Sequence, residues 1–84
     1  MANGVSMAQE IEIELRKAIT YLTGNDLMNA NAKTPFKELG VDSMMAIEIM
    51  AALEKKFKIE LQEKDVLKFS TIENTVKILL NYMK

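Results

Sequence analysis

Three segments of the chain space their apolar residues three and four positions apart, which is the period of an amphipathic helix. The first follows residues 1–7, the second begins at Ser43 and the third follows Ser70. Their apolar positions are Ile11, Leu15, Ala18, Ile19 and Leu22, then Ala46, Ile49, Met50, Leu53 and Phe57, then Ile72, Val76, Leu79, Leu80 and Met83. No segment alternates for long enough to indicate a paired strand. The pattern therefore predicts an all-α fold.

The connection between the first two predicted helices, residues 23–42, is long for a compact domain. Loops beyond about 12–15 residues are uncommon unless they are functional, and Pro35 disfavours helix immediately before it. The apolar residues of this loop, which indicate that it packs along the bundle, are Leu27, Met28, Phe36, Leu39 and Val41. Residues 63–69 (EKDVLKF) are typical of a short helical turn, with Val66 and Phe69 directed inward. We expect a small four-helix bundle, with three longer helices, one short helix and a long first loop.

Two of the predicted helices begin at residues suited to capping. Ser70, with Glu73 three positions later, has the form of a capping box before the last helix. Asp42 is expected to cap the second helix, because its carboxylate can accept a hydrogen bond from an early amide. That arrangement would leave the hydroxyl of Ser43 free in the first turn.

The length of 84 residues allows one hydrophobic core. We expect residues 1–7 to be a disordered N-terminal extension and residues 8–84 to be a single monomeric domain. No apolar run is long enough to span a bilayer, and the N-terminal sequence lacks a basic segment followed by an apolar one. These features predict a cytoplasmic protein that does not associate with membranes.

Composition also limits the function. The net charge is −1 and the lysines are scattered, whereas nucleic-acid binding needs a basic face. The chain contains no cysteine and no histidine, so the usual nucleophile, the usual general base and most transition-metal sites are missing. We expect neither nucleic-acid binding nor a catalytic or metal site, and we predict that the chain is not an enzyme.

A second apolar strip lies on the opposite face of the second helix. At about 100° per residue, Met44, Ile47 and Ala51 point away from the core positions. Methionine suits surfaces that accept several partners, because its side chain is flexible and polarisable. Two interpretations remain open: the strip is a docking surface beside a free serine, or the long loop covers it.

Residues 36–61 (FKELGVDSMMAIEIMAALEKKFKIEL), followed by residues 65–79 (DVLKFSTIENTVKIL), resemble the acyl carrier protein family of phosphopantetheine-binding carriers. Residues 39–44 (LGVDSM) are similar to the family's attachment motif, usually Leu-Gly-x-Asp-Ser-Leu. The resemblance implies that Ser43 carries a 4′-phosphopantetheine arm, which a phosphopantetheinyl transferase moves from coenzyme A. Acyl groups would then be held as thioesters on the thiol of the arm.

The resemblance also implies partners and roles for neighbouring residues. The partners would be the acyl-transfer, condensing and tailoring enzymes of a synthase. Asp42 would help the transferase to recognise the site, and the partner-docking face would include Met44, Ile47, Glu48 and Ala51.

The charges of the second helix bear on the pathway. Fatty-acid carriers of the family are typically strongly acidic after the serine, whereas here three glutamates between residues 43 and 61 are balanced by three lysines. Residues 69–72 (FSTI) are more similar to carriers of polyketide or nonribosomal peptide assembly. We therefore favour a specialised carrier, with a fatty-acid biosynthesis carrier as the alternative. An unmodified interaction module that uses the Met44/Ile47 face is the alternative of another class.

Overall fold

The computed structural model describes residues 6–83, which form helices in the predicted order. The elements are α1 (Met7–Thr23), a 3-10 helix (Phe36–Leu39), α2 (Ser43–Phe57), α3 (Glu63–Val66) and α4 (Ile72–Tyr82). Three longer helices, one short helix and a long first loop confirm the predicted all-α bundle. Within residues 6–83, extended backbone pairs only in one isolated antiparallel bridge, between Pro35 and Thr71. Among these residues, no helix has both the length and the apolar character needed to cross a bilayer.

Helix α1 begins earlier than expected. The Ser6 hydroxyl accepts a hydrogen bond from the Gln9 amide at 3.1 Å, and the Gln9 side chain accepts one from the Ser6 amide at 2.9 Å. This reciprocal capping box satisfies two amides of the helix start. Ser6 and Met7, which we had assigned to the disordered extension, therefore belong to the folded domain. The rest of that extension, residues 1–5, lies outside the described residues.

With the exception of Met50, which is half-buried but does not pack against the core residues, the predicted inward positions of the three longer helices meet in one core. Its buried apolar residues are Ile11, Leu15, Ile19, Phe36, Val41, Ile49, Leu53, Ile72, Val76 and Leu79. Ala46 and Phe57 of α2 pack against this core and are half-buried. Full burial of an Ile or Leu side chain contributes about 1.5–3 kcal/mol. The core thus explains why α1, α2 and α4 form together although an isolated helix of such length is marginal.

One arginine fastens the first half of the long loop. The Arg16 guanidinium donates to the carbonyl oxygens of Leu27 and Ala30 at 3.2 and 2.7 Å, and to the Glu12 carboxylate at 2.9 Å. Arg16 is only 9% exposed. Its rigid fork of donors can serve several acceptors at once. Arg16 therefore supplies partners to loop carbonyls that do not belong to a helix.

Backbone pairing fastens the second half of the loop to the start of α4. The Phe36 amide donates to the Ser70 carbonyl at 2.8 Å, and the Glu73 amide donates to the Ala32 carbonyl at 3.0 Å. These bonds flank the Pro35–Thr71 bridge. The chain segment that leads into α2 is consequently held against the segment that leads into α4.

The cap of α4 differs from the prediction. Thr71, not Ser70, is the capping residue, and its hydroxyl accepts from the Asn74 amide at 2.9 Å. The Ser70 amide instead donates to the Asn74 side chain at 3.1 Å. The bridge keeps residues up to Thr71 extended, so the helix starts one position later than a cap at Ser70 requires, and Asn74 rather than Glu73 takes the third position.

We expect Arg16→Met to lower the free energy of unfolding by about 2–3 kcal/mol, because loop carbonyls lose a charged donor. Lys17→Met is the matched control, since Lys17 is exposed and its contact with Glu14 spans 4.0 Å. Its expected cost is within about 0.5 kcal/mol. Urea unfolding followed by circular dichroism measures both, and equal losses would show that the loop does not depend on Arg16.

Candidate functional site

The segment before α2 turns sharply to bring Ser43 to the surface. Gly40 ends the 3-10 helix with φ of 88°, a conformation that favours glycine. Val41 then inserts into the core, and its amide donates to the Phe36 carbonyl at 3.0 Å. Asp42 is extended, and Ser43 is the first residue of α2. A left-handed glycine, a buried valine and a capping aspartate thus fix where the serine stands.

Asp42 and Ser43 have separate roles at the start of α2. The Asp42 carboxylate accepts a hydrogen bond from the Met45 amide at 2.8 Å, which confirms the predicted cap. The Ser43 side chain is exposed and takes no part in that cap. First-turn amides and the helix dipole favour negative charge at this end of a helix. A phosphate ester on the Ser43 oxygen would therefore lie where the backbone stabilises an anion.

An apolar groove of about 390 Å³ adjoins Ser43. It lies between the start of α2, the 3-10 segment and the chain around α3. Its main apolar walls are Phe36, Val41, Ala46, Val66, Leu67 and Phe69. Asp42, Ser43 and Ile47 also line it. The groove therefore places a reactive hydroxyl beside apolar surface.

The second apolar strip of α2 is exposed. Met44 is 68% and Ile47 57% exposed, and Ala51 is also at the surface. The long loop is fastened to α1 and to the start of α4, so it does not cover this strip. The interpretation that the loop buries these residues is wrong.

The structure does not gather all the predicted site residues in one place. Asp42, Ser43 and Ile47 line the groove beside the serine. Glu48, although exposed on the same helix, lines a different depression between α1 and α2 together with Lys17. The predicted docking set therefore extends over two sides of α2.

Leu67 is a groove residue that the sequence pattern did not reveal. It follows α3, is 80% exposed and lines the groove opposite α2. The sequence indicated that Val66 and Phe69 face inward, which agrees with their burial and packing. A helical turn of this length is too short for periodicity to assign Leu67, one of the two residues between them. The one feature of the sequence that could have indicated its exposure is the lysine that follows it, Lys68, because lysines mostly lie at the surface.

Side chains from two helices hold the approach to α3. The Leu61 amide donates to the Glu54 carboxylate at 2.7 Å, and the Gln62 amide donates to the Tyr82 hydroxyl at 3.1 Å. That hydroxyl in turn donates to the Asp65 carboxylate. The hydrogen bond to Asp65 raises the pKa of Tyr82 above its ordinary value of 10.0, although the Gln62 amide acts in the opposite direction. The tyrosine hydroxyl therefore keeps the proton that it donates to Asp65 at pH values below 10.0.

Comparisons with known proteins agree with this geometry. Residues 10–79 match the family model described as a phosphopantetheine attachment site. An acyl carrier protein of Exiguobacterium sp. is 30% identical over 69 residues, which cover 81% of this chain and 87% of that protein. A chloroplastic acyl carrier protein of Brassica napus is 36% identical over 58 residues, or 69% of this chain. The match spans only 43% of that relative's length.

The fold is shared with a crystal structure of an acyl carrier protein from Thermotoga maritima. The TM-score is 0.82 at 18% sequence identity, and the match covers 96% of this chain and 95% of that chain. At such identity the likeness shows the fold alone.

The chain belongs to the family of acyl carrier proteins, as its sequence resemblance implied. Its prosthetic group is accordingly a covalently attached 4′-phosphopantetheine. Its relatives are carriers rather than catalysts. The interpretation as an unmodified interaction module does not agree with this family assignment.

We expect Asp42→Ala to lower the free energy of unfolding by about 1 kcal/mol, because α2 loses its cap. Asp42→Asn should leave stability nearly unchanged, since asparagine caps about as well as aspartate. Urea unfolding of the two variants tests this. Equal stabilities would mean that the contact with the Met45 amide contributes nothing.

Proposed function

We propose that the chain carries acyl intermediates as thioesters on a 4′-phosphopantetheine arm attached to the Ser43 oxygen. The observation that supports this most directly is an exposed serine at the first position of α2, with its hydroxyl outside the helix cap. The serine stands within the sequence LGVDSM, which is similar to the family's attachment motif.

Ser43 acts as an acceptor of the arm and needs a partner enzyme to do so. Its oxygen forms the new bond to phosphorus while the pyrophosphate bond of coenzyme A breaks. The adenosine 3′,5′-bisphosphate half of coenzyme A leaves, and the serine proton passes to a base of the transferase. The chain therefore needs no base of its own. When attached, the arm supplies the thiol that the polypeptide lacks. Tethering then raises the effective concentration of the acyl group at each partner.

The exposed strip of α2 is the proposed docking face. Met44, Ile47 and Ala51 present apolar surface next to Ser43, and Leu67 extends it across the groove. Burial of such apolar side chains against a partner favours association. The proposed partners are the phosphopantetheinyl transferase, which also recognises Asp42, and the acyl-transfer, condensing and tailoring enzymes of a synthase. Glu48 contributes charge on the side of α2 that faces α1.

The charge balance of α2 favours a specialised pathway, either polyketide or nonribosomal peptide assembly. The exposed lysines Lys55, Lys56 and Lys58 offset the glutamates of this region, so the face offers little net charge for steering. A fatty-acid carrier is the second candidate, favoured because the matched relatives are named as acyl carrier proteins rather than as synthases. Acyl transfer from the modified chain to enzymes of each pathway distinguishes the two.

The attachment predicts a specific change in mass. With coenzyme A and a transferase, the intact mass should rise by one phosphopantetheine, and Ser43→Ala should abolish the gain. Ser70→Ala is the matched control, since Ser70 is an exposed serine that lines the same groove and should leave the gain unchanged. If the wild-type chain stays unmodified with several transferases, or Ser43→Ala is still modified, the proposed site is wrong.

The docking face predicts an effect on transfer without an effect on folding. Ile47→Asp should slow acyl transfer to partner enzymes about tenfold or more, because an apolar anchor is replaced by a charge. Ile13→Asp is the control, since Ile13 is a partly exposed isoleucine on α1. Circular dichroism should show that both variants keep their helices. Loss of helix in Ile47→Asp would place Ile47 in the core and contradict the docking role.

A further inference from the structure

Helix α3 cannot maintain its position by its own backbone. It contains four residues, Glu63–Val66, and a helix of that length is not stable in isolation. The residue before it, Gln62, makes no side-chain capping hydrogen bond. Yet α3 and the residue after it provide Val66 and Leu67 to the groove beside Ser43. Something outside α3 must therefore fix its position.

Two consecutive backbone amides before α3 are each held by a side chain from a different long helix. Glu54 of α2 accepts from the Leu61 amide at 2.7 Å. Tyr82, the last residue of α4, accepts from the Gln62 amide at 3.1 Å and donates to Asp65 within α3. The start of α3 is thus connected to both neighbours, α2 through a carboxylate and α4 through a phenol.

We propose that Glu54 and Tyr82 are positioning residues that hold α3 against the bundle and thereby set the opening of the groove beside Ser43. The functional importance of the groove rests on the proposed attachment at Ser43. The proposal that Glu54 and Tyr82 hold α3 does not depend on that attachment.

Packing alone does not fix the orientation of α3. Val66 is buried and Phe69 is half-buried, so apolar contact draws this segment toward the core. Leu67 and Lys68 on the same segment are exposed, and nothing packs over them. Non-directional contact does not fix the orientation of so short a helix. The three hydrogen bonds that Glu54 and Tyr82 make are directional, and two of them lie at the entry to α3, so they determine which side chains face the groove.

The contribution of Tyr82 is tested by amide hydrogen exchange, resolved by residue with NMR. Tyr82→Phe should speed exchange at Val66 and Leu67 about 25-fold, because it removes two hydrogen bonds and each corresponds to a factor of about five. Tyr21→Phe is the matched control, because Tyr21 is 86% exposed on α1 and should leave these rates unchanged. Methyl signals of Ala46 and Val66, which line the groove, should shift in the Tyr82 variant only.

The contribution of Glu54 is tested by loss and rescue. Glu54→Ala should also speed exchange at Val66 and Leu67 about fivefold, and Glu54→Gln should restore slow exchange because its amide oxygen can still accept from Leu61. Combining Glu54→Ala with Tyr82→Phe should multiply the effects to about 125-fold, since the two side chains bond to different amides and the opening of α3 breaks the bonds of both.

Three outcomes would overturn the proposal. Each variant could affect only the amide that it contacts, Leu61 or Gln62, which would make the bonds local. Exchange could instead rise equally at Leu15 and Leu79 in the core, which would indicate general destabilisation. Glu54→Gln could also behave as Glu54→Ala does. The intact mass should still rise by one phosphopantetheine in every variant. A wrong role for Glu54 and Tyr82 and a wrong attachment site therefore give different results.

Discussion

The arrangement of this molecule depends on how the backbone of its long first loop is satisfied. A loop that packs along a bundle carries polar groups, and these need partners wherever water is excluded. Arg16 supplies donors to two carbonyls in the first half of the loop, and the start of α4 pairs with the second half. Because the loop is fixed at both places, the turn through Gly40 and Val41 has a defined starting point. The position of Ser43 follows from that turn.

The start of α2 divides stability and chemistry between two adjacent residues. Asp42 meets the requirement of the helix end, so the Ser43 hydroxyl is not needed for it. A serine that served as the cap would have its oxygen engaged by a backbone amide. The same division recurs on α2 itself, where Ile49 and Leu53 enter the core while Met44 and Ile47 stay exposed. Such separation allows one helix of 15 residues to stabilise the bundle and to present a surface.

The sequence predicted those parts of the fold and site that local periodicity and capping chemistry determine. Helix positions such as Leu15, Ile49 and Val76 and the cap at Asp42 belong to this class. The residues that it missed act across long separations: Arg16 reaches the loop and Tyr82 reaches Gln62. No local pattern identifies such partners, because an arginine in the middle of an amphipathic helix equally suits its solvent-exposed face. The prediction of the cap at Ser70 rather than at Thr71 is wrong for the same reason, because the bridge that keeps this segment extended pairs Thr71 with the distant Pro35.

The contact between the long loop and the start of α4 depends on backbone hydrogen bonds, which join Phe36 to Ser70 and Glu73 to Ala32. Backbone groups are present whatever side chain a position carries. Exposed loop residues such as Lys33 can therefore be replaced without moving the serine, provided that the replacement keeps its backbone conformation. The chain can thus acquire a new surface chemistry along this edge while the position of Ser43 stays unchanged.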